Sequence, residues 1–125
     1  MKISLVSVMV EDPIHAFKFY TETLGFVERM YLPDALLAIV ASPEDPNGTG
    51  LLLEPNSNPI SKTFQEAVYA QGLPLIVFGV EDIHKEFERL TAIGVTFRQE
   101  PTQADWGTHA LLEDTCGNLI QLHQA

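Results

Sequence analysis

The sequence contains a single cysteine, Cys116, so no disulfide can form within the chain. Basic residues are also scarce: seven Lys and Arg stand against seventeen Asp and Glu, which gives a formal net charge of −10. That charge repels phosphate and argues against nucleic-acid binding through counterion release. No apolar run approaches the roughly 18 residues of a membrane-spanning helix, and the first residues lack a signal peptide's apolar stretch. We expect a soluble cytoplasmic protein whose partners are neither nucleic acid nor membrane.

Two parts of the chain repeat one pattern. Val10-Glu11-Asp12 recurs seventy residues later as Val80-Glu81-Asp82, and Leu24-Gly25 recurs sixty-nine residues later as Ile93-Gly94. In each copy a strand-like run leads to an Asp that suits a helix N-cap, apolar residues then follow at helical spacing, and a Gly ends the segment. We therefore predict a module that occurs twice in a chain of 125 residues, a length that suits one domain.

The remaining segments complete each module as βαβββ. A linker helix over 59–71 is predicted to turn Ile60, Phe64 and Val68 toward the core, because they share one helical face. It joins module 1, residues 1–55, to module 2, residues 73–125. The predicted strands are 3–10, 26–31, 36–41 and 51–54 in module 1, and 73–80, 95–98, 108–114 and 119–123 in module 2.

This tandem arrangement resembles the vicinal oxygen chelate superfamily, which includes glyoxalase I, bleomycin-resistance proteins and extradiol dioxygenases. The resemblance covers essentially the whole chain, and it implies an α+β fold in a single domain, 1–125, with two curved mixed β-sheets around a cleft, usually completed by a homodimer. Three motifs carry it: the segment from Asp12 to Gly25 with Phe19-Tyr20 and Leu24-Gly25-Phe26, the helix entry Val80-Glu81-Asp82-Ile83, and the turn Asp114-x-x-Gly117-Asn118-x-Ile120.

The resemblance also implies where a metal would be bound. Active members hold a divalent metal with His or Gln on the first strand, Glu on the fourth, His on the fifth and Glu on the eighth. Alignment on the capping aspartates places Leu5, Glu54, Leu75 and Gln121 at these positions, and a two-residue slip on the last strand would bring His123 to the fourth. Because catalytic metals usually have three or four protein ligands, we expect no metal cofactor, and a divalent metal held by Glu54 with Gln121 or His123 is disfavoured.

The predicted cleft is therefore better suited to binding a small molecule by its shape than to chelating a metal ion. Apolar hollows with a few polar groups are the usual form of small-molecule sites, so we predict a metal-independent small-molecule-binding protein, and the acidic charge weakly favours a cationic or neutral ligand such as a basic antibiotic. One alternative is a glyoxalase-like lyase or isomerase that uses Glu54 as a catalytic general base, with or without a metal; another is an interaction module whose cleft is filled. The predicted ligand-binding residues are Leu5, Ser7, Met9, Leu52, Glu54, Leu75, Val77, Leu119, Gln121 and His123.

Three residues each have two possible interpretations. Glu54 is either buried with Gln121 and His123 as partners or solvated at a strand end before Pro55. His109 could face the cleft or the solvent, since alternation alone does not decide, and Trp106 could be cleft rim or dimer contact.

Three further residues are interpreted without a functional role. His15 and His84 occupy equivalent first-turn positions and are expected to be exposed. Cys116 is interpreted as a turn residue, because the nearby acids disfavour a thiolate nucleophile.

Overall fold

A computed structural model describes all 125 residues and divides them into two compact units, Met1–Gln65 and Glu66–Ala125. Each unit contains one four-stranded mixed sheet with the same strand order. The boundary between the units falls inside the helix that was predicted as a linker, α2 (Pro59–Ala70). None of the helices is long and apolar enough to span a bilayer.

In the first unit the outer strand β1 runs parallel to β4, whereas β3 pairs antiparallel with both β4 and β2. The sheet order is β1-β4-β3-β2, and α1 (Pro13–Lys18) packs against β3 and β4. The strands are β1 (Leu5–Val10), β2 (Val27–Leu32), β3 (Leu37–Ala41) and β4 (Gly50–Pro55).

The second unit has the same arrangement, with order β5-β8-β7-β6, a parallel β5–β8 pair, and α3 (Ile83–Ala92) between the first and second strands. The predicted repeat of the βαβββ module and the α+β class are therefore confirmed. The strands are β5 (Pro74–Gly79), β6 (Phe97–Ala104), β7 (Gly107–Glu113) and β8 (Leu119–Gln124).

The two helix starts are capped as the sequence predicts. The side chain of Asp12 accepts hydrogen bonds from the backbone N–H groups of Ile14 (2.9 Å) and His15 (3.5 Å), and Asp82 accepts one from Lys85 (3.1 Å). The side chains of His15 and His84 are exposed, as expected. The segment predicted to end at Gly25 finishes in a π-helical turn, Phe19–Thr23, whose first two residues are buried. The backbone N–H of Leu24 donates to the carbonyl of Phe19, five residues back.

The helix predicted over 59–71 forms, but the prediction of its buried face was wrong. Ile60 is 80% exposed and Phe64 54% exposed, whereas Gln65 is almost fully buried. Gln65 donates from Nε2 to the carbonyl of Met9 (3.0 Å) and accepts at Oε1 from Asn56 (2.8 Å). Because a polar side chain bonded at both ends can be buried at little cost, the amide rather than the apolar stripe turns inward.

Strand β6 is also longer than predicted, since it continues through Pro101 to Ala104. Its polar residues and its proline are disfavoured in strands, so the sequence does not predict a strand beyond residue 98. β6 is an edge strand, however, and shifts its register twice against β7, and proline is tolerated at such positions.

Candidate ligand-binding site

The pleat of each sheet separates a buried face from an open one. In the first unit Val8, Val10, Val40 and Leu53 are 0–1% exposed and lie on the face that packs toward α1. Directly paired residues share a face, so the opposite face is identified by the strand register. We call this opposite side the open face of sheet 1.

The open face of sheet 1 brings together five of the predicted site residues. Ser7 lies opposite Leu52, and Glu54 lies opposite Met9 on the neighbouring strand. Leu5 lies opposite Gly50, and its Cδ1 is close enough that a Cβ added to Gly50 would lie 3.1 Å away. Ser7 and Glu54 are exposed and Leu52 is half-buried, so these side chains are accessible to a ligand. The exposure of Glu54 agrees with the solvated strand end.

The open face of sheet 2, opposite α3, collects a more polar set. Gln121 lies opposite Val77 on one side and Leu111 on the other. His123, two residues further along β8, lies opposite His109. His109 therefore shares the open face with Gln121 and His123. Val77 is 52% exposed on this face.

Of the remaining predicted site residues, Leu75 is half-buried like Gln121 and His123, whereas Leu119 is not accessible. Leu75 lies in β5 where the register against β8 shifts between Pro74 and Ile76, so it has no directly paired residue. Leu119 begins β8 and is 1% exposed. A ligand reaches Leu119 only if neighbouring side chains move, whereas Gln121 and His123 need no such movement.

Sequence reasoning missed how Trp106 joins this face. The indole stacks on the His109 ring at a centroid distance of 4.6 Å and an interplanar angle of 28°, and lies 5.4 Å from the His123 ring. The Trp106 carbonyl oxygen is 2.8 Å from Nε2 of His123. Trp106 remains 54% exposed, while Nδ1 of His109 is buried without a hydrogen-bond partner. The sequence feature that could have indicated this contact is Trp106-Gly107 at the tight β6–β7 turn, since Gly107 lies two residues before His109.

Gly107 is the residue that permits this turn. Its φ is +127°, and an added Cβ would lie 2.4 Å from the backbone oxygen of Gln124 and 2.7 Å from Nε2 of His123. We expect Gly107→Ala to lower the free energy of unfolding by about 2 kcal/mol, because it adds backbone strain to a clash with backbone. Urea denaturation measures this.

Gly79→Ala is the matched control, since nothing lies within 4 Å of the Cβ position at Gly79, a strand residue on the same sheet. Equal losses for the two variants would contradict the role assigned to the Gly107 turn.

The donor set does not fit a catalytic metal. No group of three or more His, Cys, Asp or Glu side chains is placed to hold a metal ion. On sheet 1 the open face offers Glu54 beside apolar residues, and on sheet 2 it offers two imidazoles and an amide. Catalytic zinc sites generally use three protein ligands.

The family model of the Glyoxalase/Bleomycin resistance protein/Dioxygenase superfamily matches residues 2–122. The chain belongs to this superfamily. Similar superfamily structures include UcmS2, with a TM-score of 0.81 and 30% identity over 98% of this chain and 97% of that one. Members of this superfamily share the tandem fold described above, so membership confirms the resemblance read from the sequence.

Two other proteins are similar to this superfamily member over nearly its whole length. The uncharacterized protein YurT of Bacillus subtilis (strain 168) is 47% identical over 126 residues, which cover 99% of each chain. TnmS3, an antibiotic binding protein from Streptomyces sp. CB03234, has a TM-score of 0.75 and 27% identity over 99% of this chain and 95% of that one. One structural neighbour of this chain is therefore described as binding an antibiotic.

Proposed function

We propose that this chain is a metal-independent small-molecule-binding protein of the bleomycin-resistance type. The observation that carries the proposal is the composition of the two open faces, where exposed apolar side chains stand beside isolated polar groups and no group of three metal ligands occurs. Apolar contact supplies most of the binding free energy in such sites, and a few polar groups fix orientation. The description of TnmS3 as an antibiotic binding protein supports the same class of function.

The polar groups have distinct roles in this proposal. Ser7 and Glu54 offer a hydroxyl and a carboxylate on sheet 1, while Gln121 offers an amide on sheet 2. A carboxylate favours a cationic or hydrogen-bond-donating group on the ligand. The overall charge of −10 disfavours anionic ligands, so it favours the same ligands as the Glu54 carboxylate does.

A thermal-shift panel of metabolites and antibiotics tests the proposal. A ligand present at about 100 times its Kd stabilises the folded state by about 2.7 kcal/mol, which raises Tm on the order of 10 °C in a domain of this size. We expect at least one neutral or cationic compound to produce such a shift. Ser7→Arg should abolish it by filling the open face, whereas Ser57→Arg, also an exposed serine but in a loop, should not.

Two results of the thermal-shift panel would contradict the proposal. A panel in which nothing stabilises the protein contradicts binding, and a shift that Ser7→Arg leaves intact contradicts the placement of the ligand.

Because Glu54 is an exposed carboxylate on an open face, a lyase or isomerase that uses it as a base is the second candidate. Stoichiometric metal that is lost in Glu54→Gln would favour that enzyme over the binding protein.

We also propose that the protein works as a homodimer in the cytoplasm. Ile60 and Phe64 form an exposed apolar face on α2, and large exposed apolar residues are typical of interfaces between protein chains. Sedimentation equilibrium should give about twice the chain mass of 13.9 kDa. A monomer mass at micromolar concentration would contradict the dimer.

A further inference from the structure

We propose that the open face of sheet 1 binds an elongated zwitterion, whose anionic group pairs with Arg29 and whose cationic group pairs with Glu54. The inference rests on the proposed small-molecule binding and names the chemical class of the ligand. It also gives a role to Arg29, an exposed residue of β2.

Arg29 is the extra residue of a β-bulge in the edge strand β2. Its two neighbours on β2 pair with Val40 and Ile39, which are consecutive in β3, so the register between the strands shifts at Arg29. Bulges change the direction in which a side chain points, and they are common beside functional sites. The Arg29 side chain is therefore not bound to the alternation of its strand.

The guanidinium of Arg29 crosses β3 and reaches the start of β4 on the open face. Its Nη1 donates a hydrogen bond to the carbonyl oxygen of Gly48, and it lies 3.7 Å from the position that a Cβ on Gly50 would take. That position belongs to the open face, because Gly50 is paired with Leu5. Gly50 and its partner on β3, Ala41, have the smallest side chains, so they leave room for the guanidinium above the sheet.

This guanidinium has no carboxylate partner within the chain. It bonds to the Gly48 carbonyl oxygen, whereas the other two arginines each pair with a glutamate, at 2.9 and 2.8 Å. Glu28, the adjacent acid in sequence, is paired with Val40 and so lies on the face that packs toward α1. The guanidinium keeps further N–H donors, and its planar fork suits a carboxylate. In a chain with seventeen acidic residues, this arginine remains available to an anionic group of a ligand.

Glu54 places the opposite charge at the other end of the same face. Gly50 and Glu54 are four residues apart on β4, which at about 3.3 Å per residue separates the two ends of the face by roughly 13 Å. Leu52 lies midway between them and is paired with Ile39, and both side chains are half-buried. The face therefore has a cation, an apolar middle and an anion in a line. A zwitterion with an apolar middle matches this order, and its zero net charge avoids repulsion by the acidic chain.

Three rigid two-ring probes test the inference: 4′-(aminomethyl)biphenyl-4-carboxylate as zwitterion, biphenyl-4-carboxylate as anion and 4-phenylbenzylamine as cation. We expect the zwitterion to bind about tenfold more tightly than either single-charge probe in isothermal titration calorimetry, because it makes both charged contacts. The one-ring zwitterion 4-(aminomethyl)benzoate is too short to reach both ends of the face, and it should bind more weakly than the two-ring zwitterion.

Two substitutions should give a crossed pattern of affinities. Arg29→Met should weaken binding of the zwitterion and of the anion about tenfold without weakening that of the cation. Glu54→Gln should weaken binding of the zwitterion and of the cation without weakening that of the anion. A general disturbance of the face would weaken all three probes together, so the pattern separates charge pairing from a structural effect.

Arg89→Met is the matched control. It removes the same charge from an exposed arginine, but on α3, where Arg89 pairs with Glu86, and it should leave the three Kd values unchanged. Thermal melts establish that the variants are folded. If Arg29→Met does not fold, Arg29→Lys replaces it; lysine keeps the charge but not the planar fork, so anion binding should still weaken.

Anion affinity that is unchanged when Arg29 is replaced would overturn the inference, and a fall in Tm alone would show that Arg29 only stabilises the turn at Gly48. A zwitterion that binds no more tightly than the single-charge probes would also overturn it. If the zwitterion fails to bind while another compound of the thermal-shift panel stabilises the protein, the inference is wrong and the proposed function stands. If no compound binds at all, the proposed function fails as well.

Discussion

Asp114→Ala is expected to lower the free energy of unfolding by about 3 kcal/mol. Asp114 is fully buried, and its Oδ1 accepts hydrogen bonds from the backbone N–H groups of Cys116 (2.7 Å) and Asn118 (2.9 Å). Its Oδ2 accepts a further bond from Nδ2 of Asn118 (2.8 Å). Removing the carboxylate takes away the acceptor of three buried hydrogen bonds, and hydrogen bonds to charged groups are stronger than those between neutral groups. Urea denaturation followed by circular dichroism measures the loss.

Asp114→Asn gives a graded comparison. An amide oxygen at the position of Oδ1 can still accept from the two backbone N–H groups, whereas an amide nitrogen at the position of Oδ2 faces the Asn118 amide nitrogen and cannot accept its hydrogen. We expect a loss about half as large as that of Asp114→Ala. Asp105→Ala, at an exposed turn aspartate, serves as the control and should change the free energy of unfolding by less than about 0.5 kcal/mol. Equal losses for Asp114→Ala and Asp105→Ala would contradict the hydrogen-bonded turn.

Leu53→Ala is expected to cost about 3 kcal/mol of unfolding free energy. Leu53 is fully buried in β4 and lies opposite Val8, on the face of sheet 1 that packs toward α1. A buried Leu→Ala substitution loses the transfer free energy of the side chain and leaves a cavity, which together amount to roughly 2–5 kcal/mol. The measurement is again equilibrium urea denaturation.

The neighbouring residue provides the control for Leu53. Leu52 has the same side chain on the same strand but lies on the open face and is half-buried. We expect Leu52→Ala to cost about 1 kcal/mol, because less apolar surface is lost from contact. If both variants lost the same free energy, the open face would be packed as tightly as the core and could not be assigned to a ligand.

The sequence contained the fold because its strongest signals are local and occur twice. Asp12 and Asp82 begin helices by bonding backbone N–H groups within three residues, so a single position is enough to predict each start. The alternation of β1 likewise predicts which side chains share a face, and Val8 and Val10 are buried while Ser7 is exposed.

The errors arose where distant partners decide the outcome. The apolar stripe of α2 predicted the wrong buried face, because Gln65 is drawn inward by the carbonyl of Met9, fifty-six residues away in sequence. The stacking of Trp106 on His109 could not be predicted either, since it depends on the backbone of the turn at Gly107. Residues on one strand could be assigned to a common face, but not the contacts that a turn makes when it folds back over the sheet.

We propose that this superfamily member binds its ligand without a metal. The most direct test measures the ligand-induced rise in Tm for protein stripped of metal with EDTA, and again after Zn²⁺ or Ni²⁺ is restored, with the most stabilising compound of the panel. We expect the same rise in both conditions, and in Glu54→Gln a smaller rise that is again the same with and without metal, because the carboxylate contributes to ligand binding but not to metal binding. A rise that occurs only after metal is restored, and that disappears in Glu54→Gln, would contradict this proposal.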